Sequence, residues 1–525
     1  MPTNHRLALL QANSSLLVNT LRGIEKEGLR VDRAGKLALT PHPKALGSAL
    51  SNPAITTDYS EALLELITET HQTTDSLLAE LQAVHYFVSK RIDDEFIWSQ
   101  SMPAWLPPTP DIPIGWYGTS NSGMLKHVYR RGLAERYGKP MQCIAGLHYN
   151  FSLDDAIWHL FDDGPDSLTA KRSKGYLALI RNFTRFSWLL MYLFGASPAT
   201  SDNFLRGVNH QLQKLDSDTW YSPYATSLRM TGLGYNNKEN AQAELQMCYN
   251  DLETFVQRIY EAVTTPWPEY EAIGTHRNGE WIQLNPNIIQ IENEYYSSIR
   301  PKRTTASGER PATALAERGV EYIEVRCLDL DPFSPLGISQ ESCKFLDTFL
   351  LFCATEPSAW FPNNGYCQDS HDNFSLVAEK GRDPKLRLIR QNKTVGLREW
   401  AYEILEAMQT YAELLDTALN DQGHSVALAA QRAKVKDADL TPSGQLLQNL
   451  RDTGLSLHEY TLQQSAEHKH SLLTAQTDPA AEAKLAAIAE HSLQEQIEIE
   501  ASDTESFDDF VARYHAQLKR PLLAN

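Results

Sequence analysis

Polar and apolar positions alternate along four stretches of this chain, and the alternation predicts four β-strands, each with one charged and one apolar face. The first is G-I-E-K-E-G-L-R at 23–30, where Glu25 and Glu27 point the same way. The second, Met141–Leu153, puts Gly146, His148, Asn150 and Ser152 on one side and Leu147, Tyr149 and Phe151 on the other. The third, Asn287–Tyr296, aligns Gln290, Glu292, Glu294 and Tyr296, and the fourth, Val320–Leu328, aligns Tyr322, Glu324 and Arg326. A helical period predicts an opening helix over Leu7–Ile24 and an amphipathic helix through Leu77, Leu81, Val84 and Val88. It also predicts a helix over Leu125–Tyr137, a buried helix over Tyr176–Phe194 ended by Gly195 and Pro198, and one helix joining Leu397, Ala401, Ile404, Met408, Tyr411 and Leu415. Asp32–Gly35 reads as a hairpin turn. Asp58–Thr68 stays open between a helix, with Asp58 and Glu61 as a capping box and Glu61 and Glu65 as an i,i+4 pair, and a strand entered at Leu66. Five prolines between Pro103 and Pro113 predict a stiff loop, Trp116–Gly123 a donor-rich one, and I-R-P-K-R at 299–303 a basic one.

Pro362–Asn373, rich in Asn, Gly and Asp, marks a boundary, and beyond it Ala, Glu, Gln and Leu dominate. The expected organisation is therefore an antiparallel-sheet core with helices over 1–365 and a mostly helical region over 366–525 packed on it. Composition changes this picture little, since 525 residues with 42% hydrophobic and 22% charged side chains suffice for a large core. The net charge of −18 offers nucleic acid and anionic lipid no bulk attraction, so neither is expected as a partner. No C-x-x-C pair, signal-peptide pattern or membrane-length apolar run occurs, which predicts a cytoplasmic chain with reduced thiols and no structural zinc.

Strands that alternate in this way suit an antiparallel sheet with one face on a core and the other lining a wet cavity. Glu25, Glu27, Glu292, Glu294 and Glu324 would crowd that cavity with negative charge. Several Mg²⁺ ions would offset it, and those ions would bridge ATP phosphates. Arg326, Arg300, Lys302 and Arg303 are candidates to hold phosphate, with surface ion pairs as the alternative for the three in the basic loop. A lone E-x-E is by default a solvated strand face, and His148 taken alone a satisfied core histidine. There is no P-loop, no dinucleotide-binding glycine fingerprint and no nucleophile elbow, so an ATP site here has another architecture.

These stretches resemble the proteobacterial glutamate–cysteine ligases. The resemblance is carried by G-I-E-K-E-G-L-R-V at 23–31, I-T-T-D-Y-S-E-A-L-L-E at 55–65, Y-G-T-S-N-S-G at 117–123 and G-L-H-Y-N-F-S-L at 146–153. It continues through P-Y-A-T-S-L-R-M at 223–230, Q-I-E-N-E-Y-Y at 290–296, I-R-P-K-R at 299–303 and E-Y-I-E-V-R-C-L-D at 321–329. It implies an α+β, glutamine synthetase-like fold whose antiparallel sheet forms a funnel-shaped site surrounded by helices, with a helical C-terminal third. It implies ATP-dependent joining of the L-glutamate γ-carboxylate to the L-cysteine amine through γ-glutamyl phosphate, the first step of glutathione biosynthesis, with a same-fold ligase for another amine as the alternative. The resemblance makes Glu25, Glu27, Asp58, Glu65, His148 and Glu324 the metal set for Mg²⁺ or Mn²⁺. Arg326 and Glu324 become the catalytic pair, and Arg326, Lys302 and Arg303 the ATP contacts. Tyr129, Leu133, Gln142, Ile144, Asn150, Arg229, Tyr235 and Tyr296 become the substrate positions. The expected partners are small molecules only, glutamate, cysteine and ATP, and a monomer suffices.

Overall fold

The computed structural model describes residues 4–235, 241–306, 308–476 and 478–519. Its centre is a seven-stranded sheet of β1 (Leu21–Val31), β2 (Ile55–Thr57), β3 (Leu63–Ile67), β4 (Phe96–Ile97), β5 (Leu147–Ser152), β6 (Ile299–Lys302) and β7 (Tyr322–Leu328). The order is β6-β7-β5-β1-β3-β2, with β4 on the end of β1, and the neighbouring strands are antiparallel. Register decides which charges meet. Glu25 lies opposite His148, Glu27 opposite Glu65, Glu324 opposite Asn150 and Arg300 opposite Glu324. Because opposed residues share a face, these groups converge on one side of the sheet.

The other side is a core closed by helices α1 (Thr74–Ser89), α3 (Leu168–Phe194) and α4 (Gln340–Thr355), while α2 (Asn121–Tyr137) and α5 (Gln368–Lys380) flank the charged side, and α6 (Leu457–Thr474), α7 (Pro479–Ser502) and α8 (Phe507–Ala516) follow. Helix α3 lies along β6, β7, α4 and α5, while α1 packs on β1 and is covered in turn by α6 and α7. Helix α3 carries Lys171, Arg172, Lys174, Arg181 and Arg185, and among the described residues no helix is long and apolar enough to cross a membrane. Arg22 fastens the two layers. It meets Asp347 of α4 at 3.0 Å, and the same carboxylate accepts the Tyr149 hydroxyl from β5 at 2.8 Å.

Several expectations fail for physical reasons. The opening helix stops at Ala12, a 3₁₀ segment runs over Ser14–Asn19, and Leu21–Ile24 belongs to β1. Asn13, Ser14 and Ser15 favour caps and turns over helix interior, and pairing with β5 claims the rest. Asp58–Thr68 resolves as the link into β3, so Glu61 and Glu65 are not helix neighbours. Asn287–Tyr296 is no strand. It holds one 3₁₀ turn, Glu292–Glu294, and its alternate carboxylates serve buried ion pairs instead of a ladder. The basic loop is the edge strand β6, where Pro301 is tolerated because an edge need not donate on both sides. Residues 141–143 form a 3₁₀ turn ahead of β5. The helix over 397–415 is two, Leu397–Ala407 and Gln409–Leu419, interrupted at Met408, although all six apolar positions are buried as expected. The Asp32–Gly35 turn, α1 and β7 form where the pattern puts them, while α2 starts at Asn121, inside the stretch read as a donor-rich loop, because Ser120 caps it, and α3 starts at Leu168, eight residues before Tyr176, behind its Ser167 cap.

Lys26, between the two glutamates, points to the opposite side of the sheet. It is 3% exposed in a crevice shared with His85, Asp331, His468 and Lys469, and it has no ion pair among the described residues. Burial pushes its ammonium down from 10.5 to about 7. The unfolded chain therefore binds that proton more tightly between those values, so stability should rise with pH across that window and carry the full burial cost below it. Lys26→Met should stabilise the protein at pH 7 by on the order of 3 kcal/mol, with the gain shrinking toward pH 10. Denaturant unfolding at both pH values measures this, and a gain independent of pH would refute a desolvated ammonium.

Candidate active site

On the charged face, His148 is the hub. Its Nδ1 lies 3.2 Å from Glu25 and 3.8 Å from Glu324, and its Nε2 lies 3.5 Å from Glu27. Ligand atoms of Glu25, Glu65 and His148 all fall within 4.8 Å of one another. Burial and the nearby Arg326 push the imidazole below its ordinary value, so the neutral ring keeps a lone pair to offer. Asn150 donates to Glu25 at 2.9 Å and the Gly146 amide donates to Glu27 at 2.6 Å, which fixes both carboxylates.

The cluster divides electrostatically. Burial and the neighbouring Glu324 push Glu25 upward, but hydrogen bonding to His148 and the charge of Lys302 outweigh them and leave it below the usual range. Burial alone would raise Glu324, yet Arg326 at 3.0 Å and Lys302 at 3.3 Å hold it well below that range. On the other side, burial and then Asp58 push Glu27 up to about 8. Burial followed by repulsion from Glu25, Asp58 and Glu27 raises Glu65 strongly. The buried Glu27 and the half-buried Asp58 and Glu65 repel one another and form a hard oxygen donor set, the chemistry that a divalent cation such as Mg²⁺ satisfies.

Glu27, Asp58, His148 and Arg326 open into a cavity of about 480 Å³ shared with Tyr129, Leu133, Gln142, Arg229, Tyr235 and Tyr296. Helix α2 supplies Tyr129 and Leu133. It is tied to the Asp58 segment by Arg130, which donates to the Asp58 and Thr57 carbonyls and lies 4.5 Å over the Tyr117 ring. Gln142 donates to the Tyr296 hydroxyl at 2.8 Å, and the Tyr235 and Tyr296 rings sit 5.2 Å apart. Arg229 lies over Tyr235, donates to the Arg326 carbonyl at 2.9 Å and faces Asp329 at 3.6 Å. The cavity thus joins a metal-suited carboxylate cluster to a small pocket with the Arg229 guanidinium, the Tyr129, Tyr235 and Tyr296 phenols and an aliphatic wall from Leu133.

A profile described as glutamate–cysteine ligase matches residues 7–377. A glutamate–cysteine ligase of Bordetella petrii is 60% identical over 98% of both chains. The chain belongs to the glutamate–cysteine ligase family. A glutamate–cysteine ligase of Pseudomonas aeruginosa is 54% identical, again over 98% of each chain. The crystal structure of the Francisella tularensis member of this family, in complex with AMP, superposes with a TM-score of 0.88 at 37% identity, covering 95% of this chain and 98% of that one. A bifunctional glutathione synthetase of Pasteurella multocida shares the fold at 23% identity and TM-score 0.72, with 92% of this chain matching 58% of that one. The resemblance drawn from the motifs holds, as does the α+β class with an antiparallel sheet and a helical last third.

Of the positions that the ligase motifs single out, some meet in the cavity and others do not. Ile144 is fully buried outside the lining and reaches the site only through its carbonyl, which accepts from Tyr235 at 3.0 Å. Lys302 and Arg303 line a neighbouring pocket of about 340 Å³ with Tyr322. Lys302 reaches Glu324, whereas Arg303 turns to Glu321 at 3.5 Å and to the Arg318 carbonyl. Arg300 is held by the carbonyls of Asn293 and Tyr295. Glu292 and Glu294, expected in the cavity, are elsewhere. Glu292 pairs with Arg310 at 2.8 Å and Glu294 with Arg136 at 2.9 Å. Cys143 and Cys327 are buried thiols pushed up to about 12 by burial, which makes them poor nucleophiles. Sequence reasoning missed one whole lobe of the cavity, built by Tyr366, Gln368, Ser370 and His371 at the start of α5, with Tyr366 stacked on His371 at 4.5 Å. Only tertiary packing of α5 on α3 brings it there.

Proposed function

We infer that this chain is an ATP-dependent ligase that couples the L-glutamate γ-carboxylate to the amine of L-cysteine, the first step of glutathione biosynthesis, and works as a cytoplasmic Mg²⁺ or Mn²⁺ enzyme. The observation that carries this reading is the Glu27–Glu65–Asp58 group, a set of hard oxygen donors short of cation, opening into a pocket sized for a small amino acid. Glu27, Asp58 and Glu65 on one side and Glu25, His148 and Glu324 on the other would hold the metal ions, which neutralise phosphate and carboxylate charge when bound.

A carboxylate is a poor acyl donor, so its γ-oxygen must first take the terminal phosphoryl group of ATP, giving γ-glutamyl phosphate and ADP. Arg326, braced by Glu324, is suited to meet the transferring phosphoryl group with a bidentate fork, and Lys302, on the neighbouring pocket, would meet the phosphates as a point charge. Glu324 keeps both cations oriented. The cysteine amine then attacks the acyl carbon, phosphate leaves, and the amine loses its proton. Arg229 and the Tyr296 hydroxyl, which accepts from Gln142 and keeps its own hydrogen to give, are suited to hold the incoming α-carboxylate, while the Tyr235 ring and Leu133 offer walls to the side chain. No protein nucleophile is required, since positioning and electrostatic stabilisation carry the reaction.

Phosphate release should require glutamate, cysteine, ATP and Mg²⁺ together. 2-Aminobutyrate should replace cysteine at lower efficiency, because an apolar wall discriminates such a change by only about 1–3 kcal/mol. Tyr296→Phe should raise the KM for cysteine far more than that for ATP. Faster turnover with an unrelated amine would assign the chain another amine substrate, and an equal rise in all KM values with a lowered Tm would reduce Tyr296 to a brace.

A further inference from the structure

The N-terminus of α2 is held by a part of the chain more than three hundred residues away. The Ser120 hydroxyl accepts from the Gly123 amide at 3.2 Å, an ordinary local cap. The amides beside it look outward. Thr119 N donates to the Glu500 carboxylate at 2.9 Å, Asn121 N donates to Asp503, and the Asn121 side chain donates to the Glu505 carbonyl at 3.1 Å. Two carboxylates thus sit at the positive end of the α2 dipole, where helix N–H groups lack intrahelical partners.

The approach is built, not incidental. Gly118 has φ +84°, and a Cβ there would lie 2.2 Å from the Glu500 carboxylate, so the turn admits only glycine if that carboxylate is to reach Thr119. Glu500 is itself oriented by Gln496 at 3.0 Å, and Gln496 accepts from Ser48 at 2.6 Å, which roots the end of α7 in the loop before β2. Beyond the strap, α8 packs Val511 against Val128 of α2, and Asp508 accepts from the Trp281 indole at 2.9 Å. None of these strap residues lines the cavity. Helix α2 does line it, through Tyr129 and Leu133, about two and three turns further along.

We propose that Glu500 and Asp503 are positioning residues for the amine pocket. By capping α2 from outside, they set the helix that carries Tyr129 and Leu133 against Gln142 and Tyr296, so the affinity for the incoming amine depends on carboxylates that touch no substrate. This rests on the assignment of that pocket to the amine substrate.

The test uses the full chain with Mg²⁺ and compares Glu500→Ala, Asp503→Ala and Asp503→Asn with the parent. Each alanine variant should raise the KM for the amine about tenfold, the equilibrium weight of one lost helix cap, and leave the KM for ATP within about twofold. Asp503→Asn keeps an acceptor oxygen and should recover most of the loss. Amide hydrogen exchange should quicken at residues 119–124 and leave β1 and β5 unchanged. The KM ratio is read with whichever amine the parent prefers, so a parent inert toward cysteine overturns the ligase assignment and leaves the strap to be judged separately. Faster exchange at 119–124 with an unaltered amine KM would overturn the proposal, because the strap would then cap without positioning. An equal rise in every KM with a lowered Tm would overturn it as well.

Discussion

Glu27→Gln and Glu324→Gln should each leave a folded protein that turns over at least a hundredfold more slowly, the scale of losing one charge contact to a transition state. The amide in Glu27→Gln can still accept from Gly146, so β1 and β5 stay joined there. What is lost is an anion that the site makes costly to hold. With its carboxyl pushed up to about 8, Glu27 binds a proton more tightly folded than unfolded. Metal-free stability should therefore fall as pH rises from the carboxylate range toward 8, and the glutamine variant should show a shallower slope, since Glu65 still contributes one of the same sign. Added Mg²⁺ should raise the Tm of the parent at neutral pH, and that of Glu27→Gln much less, by the linkage between binding and folding. Glu324→Gln acts differently, for it leaves Lys302 and Arg326 with no shared anion, so their aim at phosphate loosens. Near-parental activity at saturating Mg²⁺ in either variant would remove that residue from the metal set.

Glu294→Ala should destabilise the protein by about 3–5 kcal/mol, the cost of leaving a buried charge without its partner. Glu294 and Arg136 are both fully buried at 2.9 Å. The carboxylate also accepts from the Tyr137 hydroxyl at 2.8 Å and the Gln290 amide at 2.7 Å, while Arg136 reaches Gln283 and the carbonyls of Asn285 and Asn287. Its removal orphans a guanidinium with nowhere to find water. Denaturant unfolding should show a lowered midpoint, and turnover per folded molecule at low temperature should stay near parental. A stable variant with lost Mg²⁺ dependence would instead return Glu294 to the metal site.

The contrast between Glu27 and Glu294 shows how far the sequence could be read. Both lie in an E-x-E with alternating neighbours, and period two reports only that two side chains share a face. For Glu27 that face meets β5, whose own alternation was legible, and the resemblance to the ligases added His148 to Glu25, Glu27 and Glu324. For Glu294 the partner sits 158 residues away on α2, and no local pattern distinguishes a buried ion pair from a cavity wall. Pro301 hid β6, because proline suppresses a strand reading although an edge accepts it. Glu65 was obscured by a capping-box pattern that pairing with β1 and β2 overrode. The Tyr366–His371 lobe lay inside a stretch whose Asn, Gly and Asp content read as a boundary.

The outer strands also govern how this sheet behaves toward other molecules. A charged face that must admit substrates cannot be sealed, and an open sheet invites other chains to add strands at its rims. Here one rim is β6, where Pro301 removes a donor and Lys302 adds charge, and the other is β2, only three residues long. An incoming strand finds too few ladder positions at either rim to propagate. The enzyme can therefore keep its substrate face open without templating aggregation, and replacing Pro301 by a β-branched residue would weaken that protection at the rim beside Lys302.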